Sequence, residues 1–155
     1  MLVLPLLLLV QSGGTMLMGW ASTPVTPSQM RDPKWGQFWT SAAGPLTNLT
    51  LAVASLLLLK TVHTSVGASL GDLREAFIFL LETGLWLNLL LMVFNFLPIP
   101  PLDGGAMLQN LLPASMAEAF DQIRPFGFII LLALGASGVL GKLVNPVIQW
   151  AFSLI

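Results

Sequence analysis

The chain has 155 residues, of which 55% are hydrophobic and only 8% are charged, whereas about 25% of the residues of soluble domains carry a charge. Its six basic and seven acidic side chains are too few to cover the surface of a soluble protein of this length, and the mean hydropathy is +0.86. The formal net charge of −1 excludes a nucleic-acid-binding protein, which needs a surface rich in Lys and Arg. The composition therefore predicts a protein embedded in a lipid bilayer.

Few side chains are available for a metal site or for nucleophilic catalysis. The chain has no cysteine, so it forms no disulfide and offers no thiolate ligand, and its one histidine is His63. His63 lies beside Lys60 at the end of a predicted helix, where a solvated side chain is expected. A metal site made by this chain alone would therefore rest mostly on oxygen ligands, which zinc and iron enzymes seldom use.

Four hydrophobic blocks predict an all-α, polytopic bundle of transmembrane helices. They cover residues 2–20, 41–59, 76–97 and 126–140. A helix of about 20 apolar residues spans the hydrocarbon core, and only the third block reaches that length without interruption. The first block contains Pro5 and a polar break at 11–14, so a bent or partial span is expected. The fourth continues past Lys142 and Pro146, where a kink or a short interfacial helix is expected.

The first block also bears on the extent of the protein. It lacks the positively charged start of a secretory signal, and hydrophobic residues resume after Gly13 and Gly14, so a membrane segment is predicted in place of a cleaved signal peptide. Because the chain opens inside a hydrophobic run, we expect residues 1–155 to form a single membrane domain that is incomplete at its N-terminus.

The segment between the first two blocks, residues 21–40, is predicted to be a surface loop. Its three prolines exclude a continuous helix. Thr23, Val25 and Thr26 favour an extended backbone, which predicts a short extended stretch near residues 23–29. The tryptophans of this segment are expected to anchor the loop at the headgroup boundary.

Three small residues recur at every fourth position near the C-terminus, namely Ala133, Ser137 and Gly141. On a helix, such a stripe lets a neighbouring helix approach closely. A helix-packing face is therefore predicted here.

The most concentrated polar chemistry follows the third block, in the sequence FNFLPIPPLDGG. Asp103 comes directly after a long apolar helix, and an ionisable residue at membrane depth is a functional candidate because its burial is costly. Pro98 and Pro101 end the helix, while Gly104 and Gly105 permit backbone turns that other residues resist. The segment is predicted to hold one carboxylate on a fixed turn in a polar cavity.

An alternative interpretation makes Asp103 a solvated N-cap of a following helix over residues 106–112. Two other polar features accompany the aspartate. Asn95 lies in the last turn before the prolines, where its amide can face a cavity or bridge two helices. Gly44 and Asn48, near the start of the second block, offer a close helix contact and a second inward-facing amide.

These segments resemble the motifs of the site-2 protease family of intramembrane zinc metalloproteases. FNFLPIPPLDGG looks like the aspartate-bearing motif of that family, and SAAGPLTNLTLA is similar to its Ala-Gly-Pro helix start with an asparagine four residues after the glycine. MGWASTPVTPSQMRDPKWG resembles the tryptophan- and proline-rich stretch that precedes that helix. The three segments occur in the family's order and spacing, and the aspartate motif is the most specific of them.

The resemblance implies a bundle of transmembrane helices around a zinc site that water can reach. In the family, two histidines of an HExxH helix and one aspartate, which Asp103 matches, hold Zn²⁺, and the HExxH glutamate activates water. Asn95 matches an asparagine that faces the active site, where it would contact the substrate or the developing oxyanion. The extended stretch with Thr23, Val25 and Thr26 would pair with an unwound substrate by strand addition. The structural residues near the site would be Gly44, Asn48, Pro98, Pro101, Gly104 and Gly105.

The sequence departs from the family because it contains no HExxH, and His63 follows the Gly-Pro helix instead of preceding it. Two of the three zinc ligands and the general base are therefore absent from these 155 residues, and one carboxylate alone is not expected to retain Zn²⁺. One explanation is a protease whose first helices are missing from the sequence, and another is a catalytically inactive homologue that binds membrane proteins. A transporter or channel subunit is a weaker third, since no inverted repeat is visible.

The expected function is therefore hydrolysis of peptide bonds in transmembrane substrates by an intramembrane zinc metalloprotease, to which this chain contributes the aspartate. Activity of the 155-residue chain by itself is not expected. The expected partners are the lipid bilayer and transmembrane proteins that serve as substrates or binding partners. The expected location is the cell membrane, which the chain would cross several times.

Overall fold

A computed structural model of the protein describes residues 30–64, 67 and 69–155. The chain divides into two compact units, Met1–Met30 and Arg31–Ile155. The first hydrophobic block and the extended stretch predicted near residues 23–29, with Thr23, Val25 and Thr26, lie outside the described residues.

The described part of the second unit consists of α-helices joined by short turns, and it contains no strand. In chain order the helices are α1 (Pro33–Val62), α2 (Arg74–Asn95), α3 (Asp103–Leu111), α4 (Ala114–Asp121), α5 (Gly127–Ala136) and α6 (Val139–Phe152). Two 3₁₀ turns, Gly71–Leu73 and Arg124–Phe126, precede α2 and α5. The prediction of an all-α helical bundle is confirmed.

Three stretches of these residues are long and apolar enough to cross a membrane. They are α1 (Pro33–Val62), α2 with its preceding turn (Gly71–Asn95) and the segment from α4 to α5 (Ala114–Ala136). The second and third predicted blocks correspond to α1 and α2. The fourth block corresponds to α5 and the beginning of α6.

α1 begins earlier than the sequence analysis predicts. Oδ1 of Asp32 accepts hydrogen bonds from the backbone N–H groups of Lys34 at 3.1 Å and Trp35 at 3.2 Å, so the side chain caps the helix. Pro33 occupies the first turn, where its missing N–H costs nothing. The prediction of a loop through residue 40 is therefore wrong, and Trp35 and Trp39 are exposed side chains on the first turns of α1.

The core lies between α1, α2 and α6. Its buried residues are Ala52 and Leu59 of α1, Leu85 and Leu89 of α2, and Ala151 of α6. α1 and α2 run antiparallel and are joined by a short connection. At Gly84, a Cβ atom would lie 3.2 Å from Oγ of Ser55, so small side chains allow the two helices to approach closely. This contact between Ser55 and Gly84, called the α1–α2 seam below, fixes the register of the two helices.

The predicted stripe of small residues does not lie on one helix. α5 and α6 are separated at Gly138, whose φ of 74° places it in the left-handed region, where an α-helix does not continue. Ala133 therefore belongs to α5 and Gly141 to α6. The prediction of one packing face through Ala133, Ser137 and Gly141 is wrong, and the break expected near Pro146 occurs instead at Gly138, since Pro146 lies inside α6.

Removal of the Asp32 cap tests the observed start of α1. Asp32→Ala deletes the acceptor of two backbone N–H groups and is expected to lower the free energy of unfolding by about 1 kcal/mol. Asp72→Ala, which removes a carboxylate from the 3₁₀ turn, is the control and is expected to change that free energy by less than about 0.5 kcal/mol. Unfolding is followed by circular dichroism of the detergent-solubilised protein. Equal stability of the two variants would contradict the cap.

Candidate functional site

Asp103 is the first residue of α3, and its carboxylate does not cap that helix. The N-cap position is Leu102, which is extended (φ −72°, ψ 159°), and no side chain caps α3. Asp103 is inside the helix, one position after the N-cap, and its carboxylate accepts no hydrogen bond from the free N–H groups of the first turn. The alternative interpretation, in which Asp103 caps a helix over residues 106–112, is therefore wrong.

The Asp103 carboxylate lies against Gly44 of α1. A Cβ atom at Gly44 would lie 2.8 Å from Oδ2 of Asp103 and 3.8 Å from its Cγ. Asp103 is half-buried, and within the described ranges its carboxylate takes part in no ion pair or hydrogen bond. Burial raises the pKa of the Asp103 carboxyl above its usual range. Gly44 thus leaves room for an acidic group that no neighbouring side chain of these residues neutralises.

Two glycines hold the Asp103 turn by direct backbone packing. A Cβ atom at Gly104 would lie 2.5 Å from the carbonyl oxygens of Phe96 and Leu97. One at Gly105 would lie 2.7 Å from the carbonyl carbon of Ile99. Both glycines are buried, so the first turn of α3 rests on the backbone that leaves α2, with no side chain between them.

The turn itself, residues 96–102, is closed by its own hydrogen bonds. The N–H of Ile99 donates to the Leu97 carbonyl at 2.8 Å, and the N–H of Leu102 donates to the Ile99 carbonyl at 2.9 Å. α2 ends at Asn95, three residues before Pro98, as the prolines predict. The peptide bond between Pro100 and Pro101 is cis. The chain thus reverses within a few residues and brings α3 back against α1.

The register of the α1–α2 seam places Asn95 at the level of Gly44. Gly84 of α2 is opposite Ser55 of α1. The two helices are antiparallel, and Asn95 is as many residues after Gly84 as Gly44 is before Ser55. Each separation is about 16 Å along the helix axis. Because that separation is about three helical turns, Asn95 and Gly84 project from nearly the same side of α2. Asn95, Gly44 and the Asp103 carboxylate therefore lie at one level of the bundle.

The asparagines near this level differ in their hydrogen bonding. Asn88 donates to the Gly84 carbonyl at 2.8 Å, and Asn110 donates to the Ala106 carbonyl at 2.8 Å. Asn48 and Asn95 are half-buried, and neither amide makes a hydrogen bond within the described part of the chain. Their donors remain available to a ligand or to another element.

The depth of the site follows from the charges on α1. A lysine near the end of a membrane helix is expected at the headgroup boundary, and Lys60 lies in the last turn of α1. Gly44 is about 24 Å from Lys60 along the axis, which is less than the roughly 30 Å thickness of a hydrocarbon core. This spacing predicts that Asp103, which contacts Gly44, lies at membrane depth, near the face opposite Lys60.

The residues of this chain do not complete a zinc site. No three His, Cys, Asp or Glu side chains cluster in the described residues, and the rest of the sequence contains none of these residue types. His63 caps the C-terminal end of α1 and is exposed, about 28 Å along the axis from Gly44. Asp103 is thus one candidate ligand, whereas a catalytic zinc site needs three protein ligands.

Comparison with known proteins points to the same segment. Residues 61–134 match the family model described as peptidase family M50, and they include Asn95 and the Asp103 turn. A protein of Bacillus subtilis (strain 168) named "Putative zinc metalloprotease YwhC" is 33% identical over 117 residues, which is 75% of this chain and 53% of the relative. One of Mycobacterium tuberculosis (strain ATCC 25618 / H37Rv) named "Putative zinc metalloprotease Rip2" is 33% identical over 118 residues, which is 74% of this chain and 41% of the relative. The chain belongs to the site-2 protease family.

The family predicted from the three motifs is therefore confirmed, and site-2 proteases are membrane-embedded zinc metalloproteases. The chain spans about half the length of the curated relatives it matches, and no solved structure gives a significant match. The roles of individual residues, including Asp103 as metal ligand and Asn95 as substrate contact, stay predictions.

One residue of this site, Gly127, could not be predicted from the sequence. Gly127, the first residue of α5, is buried against the carbonyl oxygen of Pro100. The contact joins residues that are far apart along the chain, and a glycine before an apolar helix gives no local sign of it.

Alanine substitution at Gly104 tests the backbone packing of the turn. Alanine normally stabilises a helix by about 1 kcal/mol relative to glycine, but at Gly104 the new Cβ would meet backbone atoms. We expect Gly104→Ala to lower the free energy of unfolding by about 2 kcal/mol. Gly135→Ala is the matched control, because its Cβ would meet only Cδ1 of Leu140 at 3.8 Å. A Gly104→Ala protein as stable as the Gly135→Ala protein, measured by denaturant titration in detergent, would refute the packing.

Proposed function

We propose that this chain provides the aspartate side of the zinc site in an intramembrane metalloprotease that crosses the cell membrane several times and cuts transmembrane proteins. Residues 1–155 would be part of one membrane domain. The observation that supports the proposal is the position of Asp103, a half-buried carboxylate that a closely packed turn holds against Gly44.

Asp103 would hold the metal through a carboxylate oxygen. Bound zinc supplies Lewis acidity, because it polarises a peptide carbonyl and lowers the pKa of a bound water. The chain would contribute a ligand whose direction is set before the metal arrives, since Gly104 and Gly105 pack the turn directly against backbone atoms. Such preorganisation favours binding because little ordering remains to be done.

Asn95 would bind the substrate near the reacting carbonyl. Its amide lies at the level of Asp103 and is not used by its own helix, unlike the amide of Asn88. A donor in a water-poor site stabilises a developing oxyanion more strongly than it would in water. Asn48, on the side of α1 that carries Gly44 and Ser55, is a second available amide.

The remaining ligands would come from outside these 155 residues. The only histidine of the chain lies at the far end of α1, and no HExxH occurs. An HExxH helix presents two imidazoles on one face, at positions i and i+4. Ala43 and Gly44 are exposed and small, so the surface of α1 beside Asp103 would admit a further helix. The stretch with Thr23, Val25 and Thr26 is proposed to pair with an unwound substrate.

The absence of HExxH also supports a second candidate, a catalytically inactive homologue that binds membrane proteins. Zinc content separates the two functions, because a binding protein has no need of stoichiometric metal. The chain is purified as it stands and in a version extended by the segment that its own gene encodes upstream. If neither version contains zinc nor cuts a model transmembrane substrate, the binding function replaces the protease.

Asp103→Asn tests the ligand assignment. In the version that binds zinc, the loss of an anionic ligand is expected to weaken zinc binding and to lower the cleavage rate, each by more than about 100-fold, since even residues that only support metal ligands contribute 10- to 100-fold. Asp72→Asn is the charge-matched control and is expected to leave both unchanged. Zinc is measured by mass spectrometry of the metal and cleavage by release of a labelled fragment. Full zinc occupancy in Asp103→Asn would refute the assignment.

Asn95→Ala tests the substrate contact. The loss of one oxyanion donor is expected to lower kcat by about 100- to 1,000-fold while the zinc content stays the same, because the amide is not a ligand. Asn88→Ala, on the same helix, removes an amide that bonds its own backbone and is expected to retain kcat. Unchanged kcat in Asn95→Ala would remove this residue from the mechanism.

A further inference from the structure

α5 contacts the Asp103 turn through Gly127. The residue is buried at the start of α5, and a Cβ atom there would overlap the carbonyl oxygen of Pro100 and lie 3.1 Å from Cδ of Pro101. Pro100 is itself buried. Only a glycine at position 127 lets the backbone of α5 rest directly on this part of the turn.

The backbone of Pro100 is held from two sides. A Cβ atom at Gly105 would lie 2.7 Å from the Pro100 nitrogen, and one at Gly127 would overlap its carbonyl oxygen. Backbone on both sides cannot move aside as a flexible side chain would. A displacement at position 127 is therefore passed to the turn and, three residues after Pro100, to Asp103.

A polar cluster joins the same elements independently. Arg124 forms an ion pair with Asp121 at 3.0 Å and donates to Oε1 of Gln109 at 3.0 Å. Gln109 in turn donates to the Asp121 carboxylate at 3.2 Å. These bonds tie α3 to the connection between α4 and α5. Because the cluster is exposed, it adds little energy, and it shows that α3 and the start of α5 lie side by side.

We propose that Gly127 is a positioning residue for the Asp103 carboxylate and acts through the backbone of Pro100. The importance of that position for zinc rests on the proposed function, but the geometry can be measured without metal or substrate. The contact makes the direction of Asp103 depend on the packing of α5, which belongs to a different candidate span from α1 and α2.

The cysteine-free sequence allows a direct test by disulfide formation. In Gly44→Cys/Asp103→Cys, the sulfur at position 103 takes the place of Cγ, which lies 3.8 Å from the Cβ position of residue 44. In Ser55→Cys/Gly84→Cys, the sulfur at position 55 replaces an Oγ that lies 3.2 Å from the Cβ position of residue 84. The cross-linking rate of the first pair measures the position of the Asp103 turn relative to α1. The rate of the second pair measures the packing of the α1–α2 seam. Each pair is combined with Gly127→Ala or with the control Gly135→Ala.

Gly127→Ala is expected to slow cross-linking of the 44/103 pair by at least about threefold, because disulfides tolerate little displacement, while the 55/84 pair keeps its rate. Gly135→Ala is expected to change neither pair. The proposal is overturned if Gly127→Ala leaves the 44/103 rate equal to that of Gly135→Ala. It is equally overturned if both pairs slow together, since Gly127 would then support the bundle as a whole. Failure of the protease function would show separately, as an upstream-extended version of the wild-type protein that contains no zinc.

Discussion

Backbone-to-backbone packing around the turn after α2 is the constraint on which the site depends. Gly104 and Gly105 rest on residues 96–100 at distances that a side chain would not permit, and Gly127 closes the other side of Pro100. Irregular backbone at membrane depth persists only where protein or a water-filled cavity satisfies its polar groups. The turn meets this condition by its own hydrogen bonds and by close packing. The direction of the Asp103 carboxylate is a consequence of that packing.

A second constraint, the α1–α2 seam, determines which residues lie beside the Asp103 carboxylate. The small residues Ser55 and Gly84 set the register of the two helices, and that register brings Gly44 and Asn95 to one level. The turn after α2 then brings Asp103 back to the same level, in contact with Gly44. An acidic group and an unused amide therefore share one depth in the bundle. Two of the three ligands of the family motif, both imidazoles, are absent from the sequence, which explains why these residues alone form no zinc site.

The parts of the fold that depend on local chemistry could be predicted from the sequence. Hydrophobic length predicted α1 and α2, and the prolines after Asn95 predicted the end of α2. The loop predicted before the second block was wrong because the same residues favour two structures. Prolines near α1 indicated a loop, whereas Asp32 and Pro33 in fact start the helix. The break at Gly138 was hidden inside an apolar run. The contact of Gly127 could not be predicted, because it joins distant segments through backbone atoms that carry no residue-specific signal.

The central claim is that Asp103 lies at membrane depth beside α1 and not in bulk water. A nitroxide attached to a single cysteine at position 103, compared with one at Asp72, measures this directly in lipid vesicles through collisions with oxygen and with a water-soluble nickel complex. The account predicts that the label at 103 collides more with oxygen and less with nickel than the label at 72, and that it matches a label at Gly44. Equal exposure of positions 103 and 72 to the nickel complex would contradict it.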